Sequence, residues 1–179
     1  MKKLALIIAA VAFFAVGSKA QGMFEKGTQL FKLGVGINGS ATPFEVGYEK
    51  GVKENFLGVD GLVLGLGANL GYYGYKEEFT VPSMSYSWSY TNIVVAGRAL
   101  AHYPFINKLD TYAGLMLGYN VASTKYEGPN AGSIPTPSAG GIVFGGVAGV
   151  RYEFNANWGA YLEAGFGISN LNLGIAYKF

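Results

Sequence analysis

Leu171-Asn172-Leu173-Gly174-Ile175-Ala176-Tyr177-Lys178-Phe179 closes the chain with a strict alternation. Leu171, Leu173, Ile175, Tyr177 and Phe179 are large and apolar, whereas Asn172, Gly174, Ala176 and Lys178 are small or polar. A repeat of two is the signature of an extended strand, whose successive side chains leave on opposite faces. The large residues therefore share one face and the small ones share the other, the reverse of a strand whose second face is dressed for water.

The same rhythm runs backward through the chain. Trp158, Ala160, Leu162, Ala164 and Phe166 oppose Gly159, Tyr161, Glu163 and Gly165. Ile142, Phe144, Gly146, Ala148, Val150 and Tyr152 oppose Gly145, Gly149, Arg151 and Glu153. Ala113, Leu115, Leu117, Tyr119 and Val121 oppose Gly114, Met116, Gly118 and Asn120. Ile93 to Ala101 opposes a face with Arg98, Leu100 and His102, and is the least cleanly divided. Leu62 to Tyr72, Phe44 to Glu49 and Phe31 to Asn38 complete the set. Eight segments is an even number, and each is close to the roughly 9–11 residues with which a strand crosses a bilayer.

Composition agrees. Only 13% of the residues are charged, about half the usual share of ~25%, while there are 28 glycines, 13 tyrosines and 12 phenylalanines. Beyond the N-terminus no apolar run is long enough for a membrane helix. The remaining spanning structure is a closed barrel, since hydrocarbon satisfies no open sheet edge. An exported soluble sandwich or lipocalin-like barrel also alternates, but its second face is dressed in Lys and Thr rather than Gly, Ala and Asn. Small residues suit the inside of an eight-stranded barrel, which side chains just fill.

Residues 1–20 read differently. Lys2 and Lys3, an apolar run from Leu4 to Val16 and Ser18-Lys19-Ala20 form a secretory signal, with cleavage expected after Ala20. The run is too short for a transmembrane helix of about 20 residues. The predicted organisation is thus a signal peptide, 1–20, and an outer-membrane β-barrel domain, 21–179. Removing Lys2, Lys3 and Lys19 from 13 basic residues leaves ten against 11 acidic ones, so no basic surface for nucleic acid survives. The absence of cysteine excludes disulfides and zinc–thiolate sites.

The connections are unequal. Turns around Lys53-Glu54-Asn55, Pro104 to Lys108 and Asn155-Ala156-Asn157 are short and assigned to the inner side. Tyr73 to Ser85 and Ser123 to Ala139 are long, polar and assigned to the outer side, as in bacterial barrels. Tyr86, Trp88 and Tyr90 keep the alternation beyond the membrane band, which predicts a sheet protruding outward with an edge able to accept a partner's strand. All six prolines are expected outside strand interiors.

Aromatic residues gather at segment ends. Tyr48, Tyr103, Tyr152, Trp158 and Tyr177 at the inner side, with Tyr72, Trp88 and Tyr119 at the outer side, are the expected girdle, where a ring is apolar on one side and wet on the other. On these patterns the chain resembles the OmpA/OmpX-type superfamily of small eight-stranded outer-membrane barrels across the whole mature region. The stretch Arg98 to Tyr103, then Lys108 to Gly114 and Gly118-Tyr119-Asn120, looks like a recurrent strand–turn–strand of such domains. The resemblance implies that the strand ending on Phe179 is the signal read by the barrel-assembly machinery. It also implies outer-membrane lipid and lipopolysaccharide as surroundings.

Candidate chemistry is thin. Gly34-Val35-Gly36-Ile37-Asn38-Gly39 fits a dinucleotide fingerprint literally, but its glycines lie inside a strand rather than opening a helix. His102 is the only histidine, so no histidine cluster holds a metal. No serine–histidine–acid grouping is recognisable, and His102 falls at the end of its strand away from the outer leaflet. No cofactor is expected. Eight charges share the small-residue face: Lys32, Glu45, Glu49, Arg98, Arg151, Glu153, Glu163 and Lys178. Unpaired buried charge costs several kcal/mol, so these are expected to pair into a plug, with Lys32 roughly opposite Glu49 and Arg98 meeting Glu163 across the lumen. A non-enzymatic barrel with a structural or surface-interaction role, its function carried by outer loops reaching a surface ligand, is the expectation. A narrow channel for small solutes is the alternative, and a lipid-modifying enzyme a third.

Overall fold

The structure is a computed structural model that describes residues 24–81, 84–136 and 138–179. The expected signal segment and its cleavage point lie outside the described residues. Eight strands follow one another: β1 (Gln29–Ile37), β2 (Phe44–Lys53), β3 (Val63–Val81), β4 (Met84–Ile106), β5 (Leu109–Glu127), β6 (Ser138–Glu153), β7 (Trp158–Phe166) and β8 (Leu171–Lys178). Each pairs antiparallel with its neighbour, and β1 pairs with β8 to close the barrel. Closure leaves no open edge along the band where all eight strands run side by side.

The alternation sets the two faces. Outward, Leu117, Ile142, Phe144 and Leu173 are more than half exposed, and the same exposure recurs around the whole wall. A continuous apolar belt of this kind is far larger than the patches that soluble proteins leave in water; hydrocarbon is the medium that suits it. Inward, glycine makes room for the few large side chains. A side chain at Gly34 would run into the Tyr161 hydroxyl and Asn172, and one at Gly149 into the Tyr112 ring. Among the described residues, no helix is long and apolar enough to cross a membrane.

Three strands are much longer than expected. Tyr73 to Ser85, read from the sequence as a loop, is paired strand on both sides of Pro82-Ser83, with β3–β4 pairing continuing to Val81 opposite Met84. The register of β3 on β4 runs unbroken from Val63–His102 to this tip. β5 follows β4 as far as Glu127 opposite Ser87. Polar composition hid the strands, because above the apolar band the outward face no longer has lipid to meet. The protruding three-stranded sheet therefore replaces one expected loop and shortens the other to residues 128–137.

The inner side brings two smaller corrections. Pro104 lies within β4, contrary to the expectation for all six prolines; it sits beside a register shift between Pro104 and Ile106, where the ladder is already interrupted. The connection after β2 runs to Leu62 through a short 3-10 turn, Phe56–Gly58, and is not a tight turn around Lys53-Glu54-Asn55.

On the outer side, the β7–β8 connection folds inward. Gly167 has a φ of 118°, open to glycine at little cost, and a side chain there would meet the Met116 methyl. The turn drops Ile168, 2% exposed, among Val94, Ala96 and Met116, with Tyr73 and Val143 against them. The Asn38 amide holds it by donating to the Ile168 carbonyl at 2.8 Å. At the opposite end Phe24, Leu30 and Val63 form a second apolar cluster.

Candidate functional site: the charged lumen and the protruding sheet

Between these two clusters lies the charged interior. Glu163, carried by β7, is its centre: one carboxylate oxygen accepts from Lys32 of β1, Arg98 of β4 and the Tyr112 hydroxyl of β5, each at 2.9 Å. Residues from four strands thus meet at one oxygen, which closed-barrel geometry allows and a flat sheet does not. Lys32 lies 3.7 Å from Glu49 and 5.4 Å and 5.5 Å from the ring centres of Tyr161 and Tyr112.

A second run continues toward the inner rim. Glu49 meets His102 Nε2 at 2.5 Å, and His102 Nδ1 meets Asp110 at 2.8 Å. Each ring nitrogen of His102 thus faces a carboxylate oxygen. The His102 ring is sandwiched, 3.9 Å from the Phe24 ring centre and 4.9 Å from that of Tyr112. Arg151 lies 2.8 Å from the same Asp110 oxygen in ion-pair contact, without hydrogen-bond alignment. It also lies 3.8 Å from Glu153, which takes a hydrogen bond from Lys178 at 2.9 Å.

Seven of the eight residues predicted to pair are therefore in this chain of contacts. Glu45 departs from the expectation: its partners are neutral, the Asn69 amide at 2.9 Å and the Ser169 hydroxyl at 2.6 Å. Sequence reasoning missed Asp110 and underweighted His102. Counting by twos from Arg98 reaches His102 on the inner face. The tight turn at Asn107-Lys108 then pairs Pro104 with Asp110, returning Asp110 to that face. That turn geometry was the missing signal. A cavity of mixed lining lies between Arg98, Glu163 and Ile168, with Glu45, Asn69 and Asn172 on its polar wall and Met116 and Val147 on its apolar one.

The aromatic residues divide by face. Tyr48, Tyr72, Tyr119, Tyr152, Trp158 and Tyr177 stand on the outward face, 37–52% exposed, with Trp158 and Tyr177 packed edge to face at 4.9 Å. Tyr103 is half-buried at the inner end of β4, 5.0 Å from Phe105. Trp88 departs from the girdle. It shares the inward parity of Arg98, stands above the membrane band and packs at 5.0 Å on Tyr126. Phe179 is 59% exposed, and its backbone N–H donates to the Gln29 carbonyl at 3.2 Å.

A closed up-and-down sheet of eight strands with a lipid-facing exterior and a packed interior decides the architecture. The fold is that of the small eight-stranded outer-membrane barrels of the OmpA/OmpX type. The N-terminal β-barrel domain of Pseudomonas aeruginosa OprF matches with a TM-score of 0.56 at 12% identity, covering 86% of this chain and 98% of that one. Ail, the attachment invasion locus protein of Yersinia pestis, solved with the heparin analogue sucrose octasulfate, matches with a TM-score of 0.54 at 11% identity. That match covers 88% of this chain and all of that one. No protein-family model and no curated protein sequence matches the chain.

Proposed function

We propose that the mature chain is an integral protein of a bacterial outer membrane, without enzymatic activity, whose lumen is plugged and whose protruding sheet meets a partner at the surface. The observation that carries the plug is the stacking of three layers inside one narrow barrel. Ile168 and its neighbours close the outer mouth, the Glu163-centred charges fill the middle, and Phe24 with Leu30 and Val63 close the inner end. Ions crossing this interior have to break several buried pairs at once. His102 is fully buried between two rings and two carboxylates, so no substrate reaches it. The Phe179 strand is read as the assembly signal, and lipopolysaccharide as the surroundings of the outer half.

The surface role rests on the extended β3–β4–β5 sheet. Its β3 edge from Tyr73 to Val81 has β4 on one side and, among the described residues, no strand on the other, since β2 pairs only as far as Phe44 opposite Tyr72. Such an edge accepts a strand by main-chain hydrogen bonds. The sulfated sugar solved with Ail belongs to that protein; here the protruding inner face offers no lysine or arginine among the described residues to hold sulfate. Deleting Lys76 to Ser85 and Glu127 to Ser138 should leave the barrel folded and abolish binding of the purified protein to bacterial or host surfaces. Binding that survives both deletions contradicts the reading.

The cavity beside Arg98 and Glu163 is the one observation that favours a narrow channel. Purified protein in a planar bilayer is expected to be silent. Reproducible conductance that changes in Arg98→Ala reverses the preference.

A further inference from the structure

Above the membrane band, the face that β3, β4 and β5 turn inward sets a carboxylate among aromatic rings. Glu77 lies directly across from Trp88. The flanking positions on the same face of β3 are Tyr75 and Phe79, stacked on their cross-strand partners Tyr90 and Tyr86 with ring centres 4.7 Å and 5.1 Å apart. Glu77 is exposed, and Tyr75 and Phe79 keep 38% and 42% of their surface. Desolvation, then the Glu77 carboxylate and Tyr75, push the Tyr90 hydroxyl above its ordinary value.

No cation answers Glu77 among the described residues. The nearest in sequence, Lys76, belongs to the opposite face, where it pairs with Glu78 at 3.2 Å and Glu127 at 3.7 Å. Ring faces are themselves negative, so carboxylate and rings attract the same kind of group. The strand edge decides how that group arrives. An extended segment added along Tyr73 to Val81 lies about 4.8 Å from β3 and sends alternate side chains to this face. Opposite charges directly across such a pair favour it. Guanidinium adds stacking on aromatic faces.

We propose that this edge receives an extended segment of a partner protein that sets an arginine side chain against Glu77, between the rings of Tyr75 and Phe79. The proposal rests on the surface-interaction reading and names the chemistry of its partner.

The chain has two tryptophans, and Trp158 stands at the other end of the barrel, so Trp158→Phe leaves Trp88 as a reporter beside the site. The probe is an alternating threonine–valine peptide with a central arginine; the control carries citrulline, of the same shape without charge. Titrated into the mature protein in zwitterionic detergent, the arginine peptide should change Trp88 emission saturably and bind about threefold or more tighter than the citrulline peptide. Glu77→Gln should erase that difference, and Glu78→Gln, on the other face, should preserve it. Equal affinity for the two peptides, a preference that survives Glu77→Gln, or no response to either overturns the inference. If equal binding disappears on deleting Lys76 to Ser85, the arginine assignment falls while the surface-interaction reading stands.

Discussion

β3, β4 and β5 are each two different strands end to end. Below the row Tyr72–Ile93–Val121, their outward faces are apolar, and their inward faces are small or buried, with Arg98 and His102 on β4 and Asp110 on β5. Above it the faces exchange character without any break in register. Outward come Lys76, Glu78, Ser89, Thr91, Ser123 and Lys125; inward come Tyr75, Phe79, Tyr86, Trp88, Tyr90 and Tyr126. The backbone is the same, so the medium on each side must differ. Lipid meets the outward face below the row and water meets it above, while the lumen gives way to an open face. The ion pairs differ likewise: Lys76–Glu78 and Lys125–Glu127 are exposed and contribute little, whereas Arg98–Glu163 is buried and unforgiving of a missing partner.

The largest effect should come from the lower half. Glu163→Ala leaves Lys32 and Arg98 buried without their shared carboxylate, a loss of about 3–5 kcal/mol. Urea unfolding of the protein in lipid vesicles measures it. A loss below about 1 kcal/mol would show that the charges behave as the exposed pairs do. Next, one change at two heights on one face separates the media. Leu117→Arg, in the band, should cost about 2–4 kcal/mol, and Ser123→Arg, just above the row, should stay within about 0.5 kcal/mol. Equal costs would erase the boundary. A smaller effect is expected at the mouth, where Gly167→Ala imposes a strained φ and presses on Met116, for about 1–3 kcal/mol.

The sequence made the lower half legible because lipid and a narrow lumen constrain both faces: large residues outside and glycine or charge inside leave one register for each strand. Arg98 meeting Glu163 could be proposed from mid-height position alone. The upper half was harder to read. Lys76 to Ser85 looks like loop, and only the pairing of Lys76 to Val81 with β4 reveals that part as strand. Trp88 was placed with the girdle because an aromatic residue near a strand end is common to both halves; its parity, carried unbroken from Arg98, puts it on the opposite face. Asp110 was lost for a local reason, the tight Asn107-Lys108 turn, which fixes the β5 register at Leu109 and Asp110, before the apolar alternation begins at Ala113. Ile168 carries no signal in the sequence, since nothing in a short outer turn says it folds inward.

The most direct test follows the outward face of β5 through the boundary. With no native cysteine, the single variants Leu115→Cys, Leu117→Cys, Val121→Cys, Ser123→Cys and Lys125→Cys each take one spin label on the protein in lipid vesicles. Collision with oxygen, which dissolves in hydrocarbon, should dominate at 115, 117 and 121. Collision with a water-soluble nickel chelate should take over at 123 and 125. Labels at 115 and 117 that meet the nickel complex as freely as the label at 125 would contradict a lipid-facing band.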